Sequence, residues 1–509
     1  MLWQNGAPVS ITCGHELTTQ LDSVRRATTT ALNASLIPLL QELIATVRHT
    51  LDESGITAPL MVVKGDGSLV RAKWAMQRPI ETILSGPAAS VVGAWHLAGD
   101  RDSWVVDVGG TTTDIARLHN GQPQLNPDGA QVGRWRTMVE AVDIHTVGLG
   151  GDSQVSLDTD RQSWRDPPAI GPRRIIPLSL LARQYPDVLD ELRRQAQQTP
   201  PPKMAGRFIL AQRQPFHSLS EDDQELLALL SDGPQAISRL MADRRRYTSS
   251  LLYKIEHLAA KHLISYAGFT PTDALHVLDE FTRWDCEAAG LGAKLLSAQF
   301  HLSPDEFCRQ VAAGMSDQIA AELLGKVLSQ EMQAFPDWNQ ERTAALLLER
   351  ALAPLSCSAL ECRLILKHPI IAIGAPVEAY LPRTAAQMHT ELIIPECAHV
   401  ANAVGAIAGG VVLRKQVVIQ LIEEYERMFF RAYLPDGNRD FDEINQAVEE
   451  VAQIMRPVLE EQAIQAGADH VEIAMNRCDQ LVPTGPGTID ELCLGSKLHF
   501  TATGRPGML

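Results

Sequence analysis

The stretch W-V-V-D-V-G-G-T-T-T-D-I-A-R-L, residues 104–118, constrains this chain more than any other. An apolar run, read as a buried strand, ends on Asp107, and a second begins after Asp114. Between them the pair Gly109 and Gly110 lets the backbone come close to a ligand, so that adjacent N–H groups converge on an anion. Thr111, Thr112 and Thr113 add hydroxyl donors. Asp107 and Asp114 would repel a bare phosphate; they fit a hydrated divalent cation, Mg²⁺ or Mn²⁺, between carboxylate and phosphate. H-N-G-Q, residues 119–122, then signals a tight turn, so 104–124 reads strand, loop, strand, turn. A P-loop needs G-x-x-x-x-G-K-[ST] opening a helix, and a dinucleotide loop needs G-x-G-x-x-G opening one. Neither pattern is here. The bland alternative, a ligand-free Gly-Thr hairpin, does not call for two glycines, three threonines and two acids together.

The 509 residues suffice for about two to four domains. A formal charge of -16 argues against coating nucleic acid or an anionic membrane, while allowing a local anion site. The eight cysteines form no C-x-x-C pair, so they are expected to be buried free thiols in a reducing cytoplasm. The longest apolar stretches, such as A-V-G-A-I-A-G-G-V-V-L, are too short to span a bilayer.

Along the chain, residues 16–55 read as two helices and P-L-M-V-V-K as a strand broken by G-D-G-S. S-G-P-A-A-S-V-V-G-A-W-H-L-A-G is a helix of small residues ending at Gly99. H-T-V-G-L-G-G-D-S, residues 145–153, is a second glycine loop. Residues 159–203, rich in Pro and Arg, read as a connecting segment. Three short amphipathic helices between 217 and 266 resemble a winged-helix module; Arg244, Arg245 and Arg246 are its one feature favouring DNA, and a solvated helical insertion is the preferred reading. H-P-I-I-A-I-G-A-P is a buried strand entering a turn, and H-V-A-N-A-V-G-A-I-A-G-G-V-V a second small-residue helix. Beyond residue 414 come a strand, a P-D-G-N turn, a long helix over 441–466 and terminal strands.

Four of these pieces, in this order, resemble the actin, heat-shock-70 and sugar-kinase superfamily. They are S-G-P-A-A-S-V-V-G-A, V-V-D-V-G-G-T-T-T-D-I-A, I-A-I-G-A-P and A-N-A-V-G-A-I-A-G-G. Within it the chain is similar to the A-type (ATP-binding) subunit of the hydantoinase/oxoprolinase family. The carrying residues are R-R-A-T-T-T-A-L-N-A (25–34), R-P-I-E-T-I-L-S-G-P-A-A-S-V-V-G-A (78–94) and D-V-G-G-T-T-T-D-I (107–115). D-I-H-T-V-G-L-G-G-D-S (143–153), T-P-T-D-A (270–274) and A-T-G-R-P (502–506) complete them.

The resemblance implies an α/β protein: an actin-like (ribonuclease H-like) ATPase lobe with a helical, winged-helix-like insertion and an α+β C-terminal domain. The expected divisions are 1–84, 85–204, 205–268, 269–413 and 414–509. It implies ATP-dependent activation of a cyclic amide, a hydantoin or 5-oxoproline, by phosphorylation of a carbonyl oxygen, with a B-type partner subunit and an oligomeric assembly. It places Asp107 and Asp114 near Mg²⁺, and Gly109, Gly110 and Thr111 to Thr113 around phosphate. Gly148, Gly150, Gly151 and Ser153 form a second ligand loop, and Gly374, Ala375 and Pro376 line the adenosine side. Asp143 and His145 are a metal or substrate pair; the alternative for His145 is a satisfied core histidine. Two departures stand out. Asp152 replaces the third glycine of a G-G-G-S loop. Family members also begin with a first D-x-G-G-T-x-T-D loop in an N-terminal lobe; this chain has one such loop, and Met1 aligns with the middle of a typical member. The expectation is therefore a copy lacking that lobe, with weak ATP hydrolysis. Two rival readings are a ligand-sensing regulator with a winged helix and a small-molecule kinase of the same superfamily.

Overall fold

The structure is a computed structural model describing residues 11–18, 21–156, 168–213, 220–243, 248–332, 334–338, 342–352, 359–424, 427–483 and 491–507. The chain forms two compact units, each built from discontinuous segments. Unit 1 comprises Met1–Asp102, Ala116–Ile144 and Val400–Leu509; unit 2 comprises Ser103–Ile115 and His145–His399.

Unit 2 is organised around parallel strands. Ser103–Val108 pairs with Ile370–Ile373 in the register Ile370↔Trp104 to Ile373↔Asp107, and Ile370–Ile373 pairs with Leu392–Ile393. W-V-V and I-I-A-I are continuous apolar runs because parallel strands are covered on both faces. The strand Thr113–His119 lies next in the sheet, and along it the chain leaves this unit.

The T-P-T-D-A motif fixes the helical layer. Thr270 caps the helix Pro271–Val277 in a reciprocal box with Asp273. The fully buried Asp273 carboxylate also accepts from the Leu178 N–H at 3.0 Å, the Ser179 N–H at 2.9 Å and the Ser179 hydroxyl at 2.6 Å. One side chain thus satisfies the starts of two helices, Leu178–Gln184 and Pro271–Val277. Residues expected to be a plain connector carry real elements: the strand Ala169–Arg174 and the helices Leu178–Gln184 and Asp187–Ala196. Their apolar positions are sparse among Pro and Arg, which hid the helical period.

The three expected short helices are Glu221–Leu229, Ile237–Asp243 and Thr248–Ala260. They enclose their own small core, including Leu226, Leu240, Leu251 and Ile255, against a four-stranded sheet to which Phe208–Ala211 and Ile264–Gly268 belong. Glu256, exposed on Thr248–Ala260, pairs with Arg173 at 3.0 Å. Arg244, Arg245 and Arg246 lie outside the described residues.

Unit 1 holds a five-stranded antiparallel sheet in the order Gly437–Phe441, Arg427–Leu434, Val411–Glu424, Glu491–Pro506, Ala468–Pro483. The helix Ile444–Ala466 buries Val448, Val451, Met455 and Leu459 against it. The two small-residue helices, Ser85–Ala98 and Ala401–Ala408, cross within this unit at Gly93 and Gly405. A Cβ on Gly93 would lie 1.8 Å from the Ala401 carbonyl oxygen, and one on Gly405 1.8 Å from that of Ala89. That crossing places Ser85–Ala98 in unit 1, apart from the hairpin with which the sequence grouping joined it.

Residues 16–55 form one long helix, Ser23–Glu53, after a short turn of helix at Gly14–Leu17, in place of the two helices expected. Its R-R-A-T-T-T-A-L-N-A motif is a lock: Thr29 Oγ1 accepts from the Met138 N–H at 3.0 Å, and Asn33 bridges the Gln77 carbonyl and the Ile80 N–H. Among the described residues this helix alone is long and apolar enough to cross a membrane by length and composition, which corrects the sequence estimate that no stretch is. The described cysteines are free, but only Cys308 is buried, and Cys286, Cys397 and Cys478 are exposed, against the expectation of buried thiols.

Candidate active site

The candidate site lies in unit 2, at the carboxyl ends of the parallel strands, where open α/β sheets bind ligands. Asp107 is the penultimate residue of Ser103–Val108. Gly374 follows its partner strand with φ +107, and a Cβ there would sit 2.2 Å from the Val108 carbonyl oxygen and 3.0 Å from Asp107 Oδ1. Only a glycine lets this turn approach Asp107 so closely. Ala375 is exposed, and Pro376 precedes the helix Val377–Gln387.

The hairpin is closed by the Gly109 N–H donating to the Thr112 carbonyl at 2.9 Å. Gly110 and Thr111 form its exposed tip, and among the described residues neither amide has a protein acceptor. Two adjacent free N–H groups are an anion cradle. Thr113 is different: it is fully buried and its hydroxyl donates to the Leu149 carbonyl at 2.8 Å, so it anchors the hairpin.

The second glycine loop supports the first. The N–H groups of Gly151 and Asp152 donate to the Gly109 and Gly110 carbonyls at 3.1 and 2.7 Å. The Gly150 N–H donates to the buried Ser153 hydroxyl at 2.9 Å. A Cβ on Gly150 would meet the Gly110 carbonyl oxygen at 2.5 Å, so glycine is required for backbone to lie on backbone. Thr272 holds the far side, its hydroxyl donating to the Gly151 carbonyl at 2.8 Å. Gly148 packs beside Pro172. The structure thus turns these amides toward the hairpin rather than outward. Asp152 lies beside Gly110, with Arg174 at 3.5 Å; burial pushes its carboxyl up, and Arg174 opposes that.

Asp114 follows the hairpin tip in the strand Thr113–His119. It accepts from the Thr146 hydroxyl at 2.5 Å. Burial raises its pKa, while the Thr146 and Thr112 hydroxyls and His145 pull it down. His145 Nε2 lies 2.8 Å from Glu322 Oε2, and its ring stacks on Phe335 at 4.3 Å between centroids. Neither reading of His145 anticipated this carboxylate-paired, partly exposed imidazole. Glu322, Phe335 and Thr146 were missed. Glu322 sits mid-helix in Pro304–Met332, 177 positions from its partner, where no sequence spacing betrays it.

Asp143 belongs to unit 1, where its N–H donates to the Gln124 carbonyl at 2.8 Å. Among the described residues no group of three or more His, Cys, Asp or Glu is arranged to hold a metal directly.

The fold and site thus define an α/β protein whose hairpin, at the strand ends, carries two amides without a protein acceptor among the described residues, with Asp107 before it and Asp114 after it. The comparisons narrow it. Residues 26–170 match the hydantoinase/oxoprolinase family model. Over 153 residues it is 29% identical to caprolactamase subunit alpha of Pseudomonas jessenii, a match covering 30% of this chain and 22% of that subunit. It is 27% identical over 145 residues to 5-oxoprolinase 1 of Arabidopsis thaliana, covering 28% of this chain and 11% of that protein. The solved ATP-dependent caprolactamase from Pseudomonas jessenii superposes with a TM-score of 0.53 at 15% identity, covering 98% of this chain and 61% of that one. Nucleotide-free acetone carboxylase gives 0.52 at 14%, covering 96% and 59%. The chain thus spans about three fifths of these solved chains and shares their mixed α/β fold.

Proposed function

We propose that this chain is the nucleotide-binding part of an ATP-dependent amidohydrolase that opens a small cyclic amide. The carrying observation is the pair of uncommitted amides at Gly110 and Thr111 between Asp107 and Asp114. On this reading the sheet and hairpin of unit 2 are the phosphate lobe of an actin-like ATPase, and the three-helix insertion is a packing module with winged-helix-like order.

Bound Mg·ATP would supply the phosphoryl group that activates the amide. The Gly110 and Thr111 N–H groups, with the Thr111 and Thr112 hydroxyls, would hold phosphate oxygens and stabilise charge that develops during transfer. Asp107 and Asp114 would orient the cation's waters; a cation beside Asp114 also offsets the burial that raises its pKa. Gly374 to Pro376 would bound the nucleoside side. His145, paired with Glu322 at 2.8 Å, would move a proton at the amide or at the attacking water. The amide oxygen would take the γ-phosphoryl group as ADP leaves; one water would add to the activated carbon and the C–N bond open to an amine and an acyl phosphate, and a second water would release phosphate and leave the carboxylate. The names of the relatives support the substrate class and suggest a second subunit, as in caprolactamase. We place the chain in the cytoplasm.

The test is product analysis with hydantoin, 5-oxoproline and caprolactam, with and without a co-expressed partner subunit. Ring-opened acid and inorganic phosphate in equal amounts support the proposal. A stable phosphorylated substrate supports a kinase instead.

A further inference from the structure

Unit 1 contains a second concentration of charge, around a cavity of about 370 Å³. Leu413, Met138 and Phe500 form part of its apolar wall. Its acids are already engaged. Buried Asp66 meets Arg414 at 2.8 Å and Lys64 at 3.3 Å, and accepts from the Ser68 N–H and hydroxyl. Glu81 accepts from Trp74 Nε1 at 3.2 Å and faces Arg78 at 4.0 Å. Glu140 lies 3.4 Å from Arg414. Lys64, Arg78, Arg414 and Lys415, with Arg25 on the wall, stand around the carboxylates Asp66, Glu81 and Glu140, while Glu16 and Asp436 line the neighbouring cavity that Lys415 also reaches.

On the strand Val411–Glu424, Lys415 alternates with buried Leu413 and Val417, so it occupies a core-facing position opposite Phe500. Among the described residues its ammonium meets only the Glu16 carbonyl, at 3.4 Å, and no carboxylate within ion-pair reach. Burial holds its pKa below the usual lysine value, against the pull of Glu81. Its side chain still has access to the cavity and to a neighbouring one of about 340 Å³. Arg25, also on the wall, donates to backbone carbonyls, and its buried Nε has no partner among the described residues. In a chain of net charge -16, a lysine turned to the core side of a strand without a carboxylate partner among the described residues is a feature that calls for a counter-charge.

We infer that this cavity binds a small organic monocarboxylate, its carboxylate on Lys415 and its hydrocarbon body on Leu413, Met138 and Phe500. One uncommitted ammonium suits a single negative charge, and the apolar wall favours an aliphatic acid over an inorganic anion. The inference rests on unit 1 alone and is independent of the nucleotide reading.

The test uses the full chain with hexanoate as probe. Lysines are reductively methylated with formaldehyde and cyanoborohydride, and Lys415 is followed by peptide mass spectrometry against exposed Lys203. Saturating hexanoate should slow Lys415 modification by about tenfold and leave Lys203 unchanged, while hexylamine gives no protection. By calorimetry, Lys415→Met should lose hexanoate binding and Lys415→Arg should keep it. No protection by hexanoate, equal protection by hexylamine or by sulfate, or unaltered binding in Lys415→Met would each overturn the inference. The labelling arm needs no variant, so it decides even where Lys415→Met does not fold.

Discussion

Gly374→Ala perturbs the turn that brings backbone against Asp107. The residue has φ +107, and its new methyl would lie 2.2 Å from the Val108 carbonyl oxygen, part of a strand that cannot yield without moving Asp107. Gly55 provides the control: φ is +70 there, and nothing lies within 4 Å of the Cβ position. Both substitutions carry left-handed backbone strain of about 1–2 kcal/mol. Gly374→Ala adds an overpacking cost of about 1–3 kcal/mol. Native-state hydrogen exchange read by mass spectrometry suits a protein with two compact units, because it reports each locally. Peptides covering Ser103–Val108 and Ile370–Ile373 should exchange roughly 5- to 150-fold faster in Gly374→Ala, beyond the acceleration that Gly55→Ala causes in the end of Ser23–Glu53. Equal acceleration in the two variants would refute the close contact, and with it the reason for a glycine beside Asp107.

Three further outcomes follow from the same geometry. Gly405→Ala should destabilise unit 1 by about 1–3 kcal/mol or more, seen as faster exchange in both Ser85–Ala98 and Ala401–Ala408, since its Cβ would lie 1.8 Å from the Ala89 carbonyl oxygen. Thr113→Val should cost about 1 kcal/mol by removing the hydrogen bond to Leu149, whereas Thr111→Val should leave stability unchanged and weaken nucleotide binding. Burial raises the folded pKa of Asp114, so its contribution to stability is fully present below the ordinary value of 3.8 and is lost as pH rises through the folded value. Metal-free Asp114→Asn should therefore melt above the native chain at neutral pH, with the gap closing as the solution is acidified, while Mg·ATP binding is lost.

The hairpin was legible because its chemistry is local. Asp107, the glycine pair and Asp114 lie within eight consecutive residues, and alternating apolar runs mark the strands around them. The turn at Gly374 was equally plain, since a buried I-I-A-I run must end where the chain turns. What the sequence hid is the direction in which groups point. The loop at 148–153 has the composition of a ligand loop, yet the Gly151 and Asp152 amides serve the hairpin carbonyls and the Gly150 amide serves Ser153; only the pairing seen in the structure shows that. Thr113 and Thr111 look alike in sequence, but Thr113 opens the strand and is buried, whereas Thr111 sits on the exposed hairpin tip. Glu322 joins His145 across distant elements, so no spacing encodes it. Lys415 did leave a signal, a lysine in the inward series Leu413, Lys415, Val417, but reading it requires knowing which face is inward. The long helix Ser23–Glu53 runs unbroken through Pro38, where two helices over 16–55 are expected from the sequence.

The central claim is that Gly110 and Thr111 offer their amides to nucleotide phosphates. The direct measurement is the NMR spectrum of the full chain labelled with ¹⁵N-glycine and ¹⁵N-threonine, titrated with Mg²⁺ and a non-hydrolysable ATP analogue. The Gly110 and Thr111 amide signals should shift and their proton exchange slow, while Gly150 and Gly151, already bonded within the protein, keep their exchange rates. Saturating analogue that leaves Gly110 and Thr111 unprotected would contradict the account.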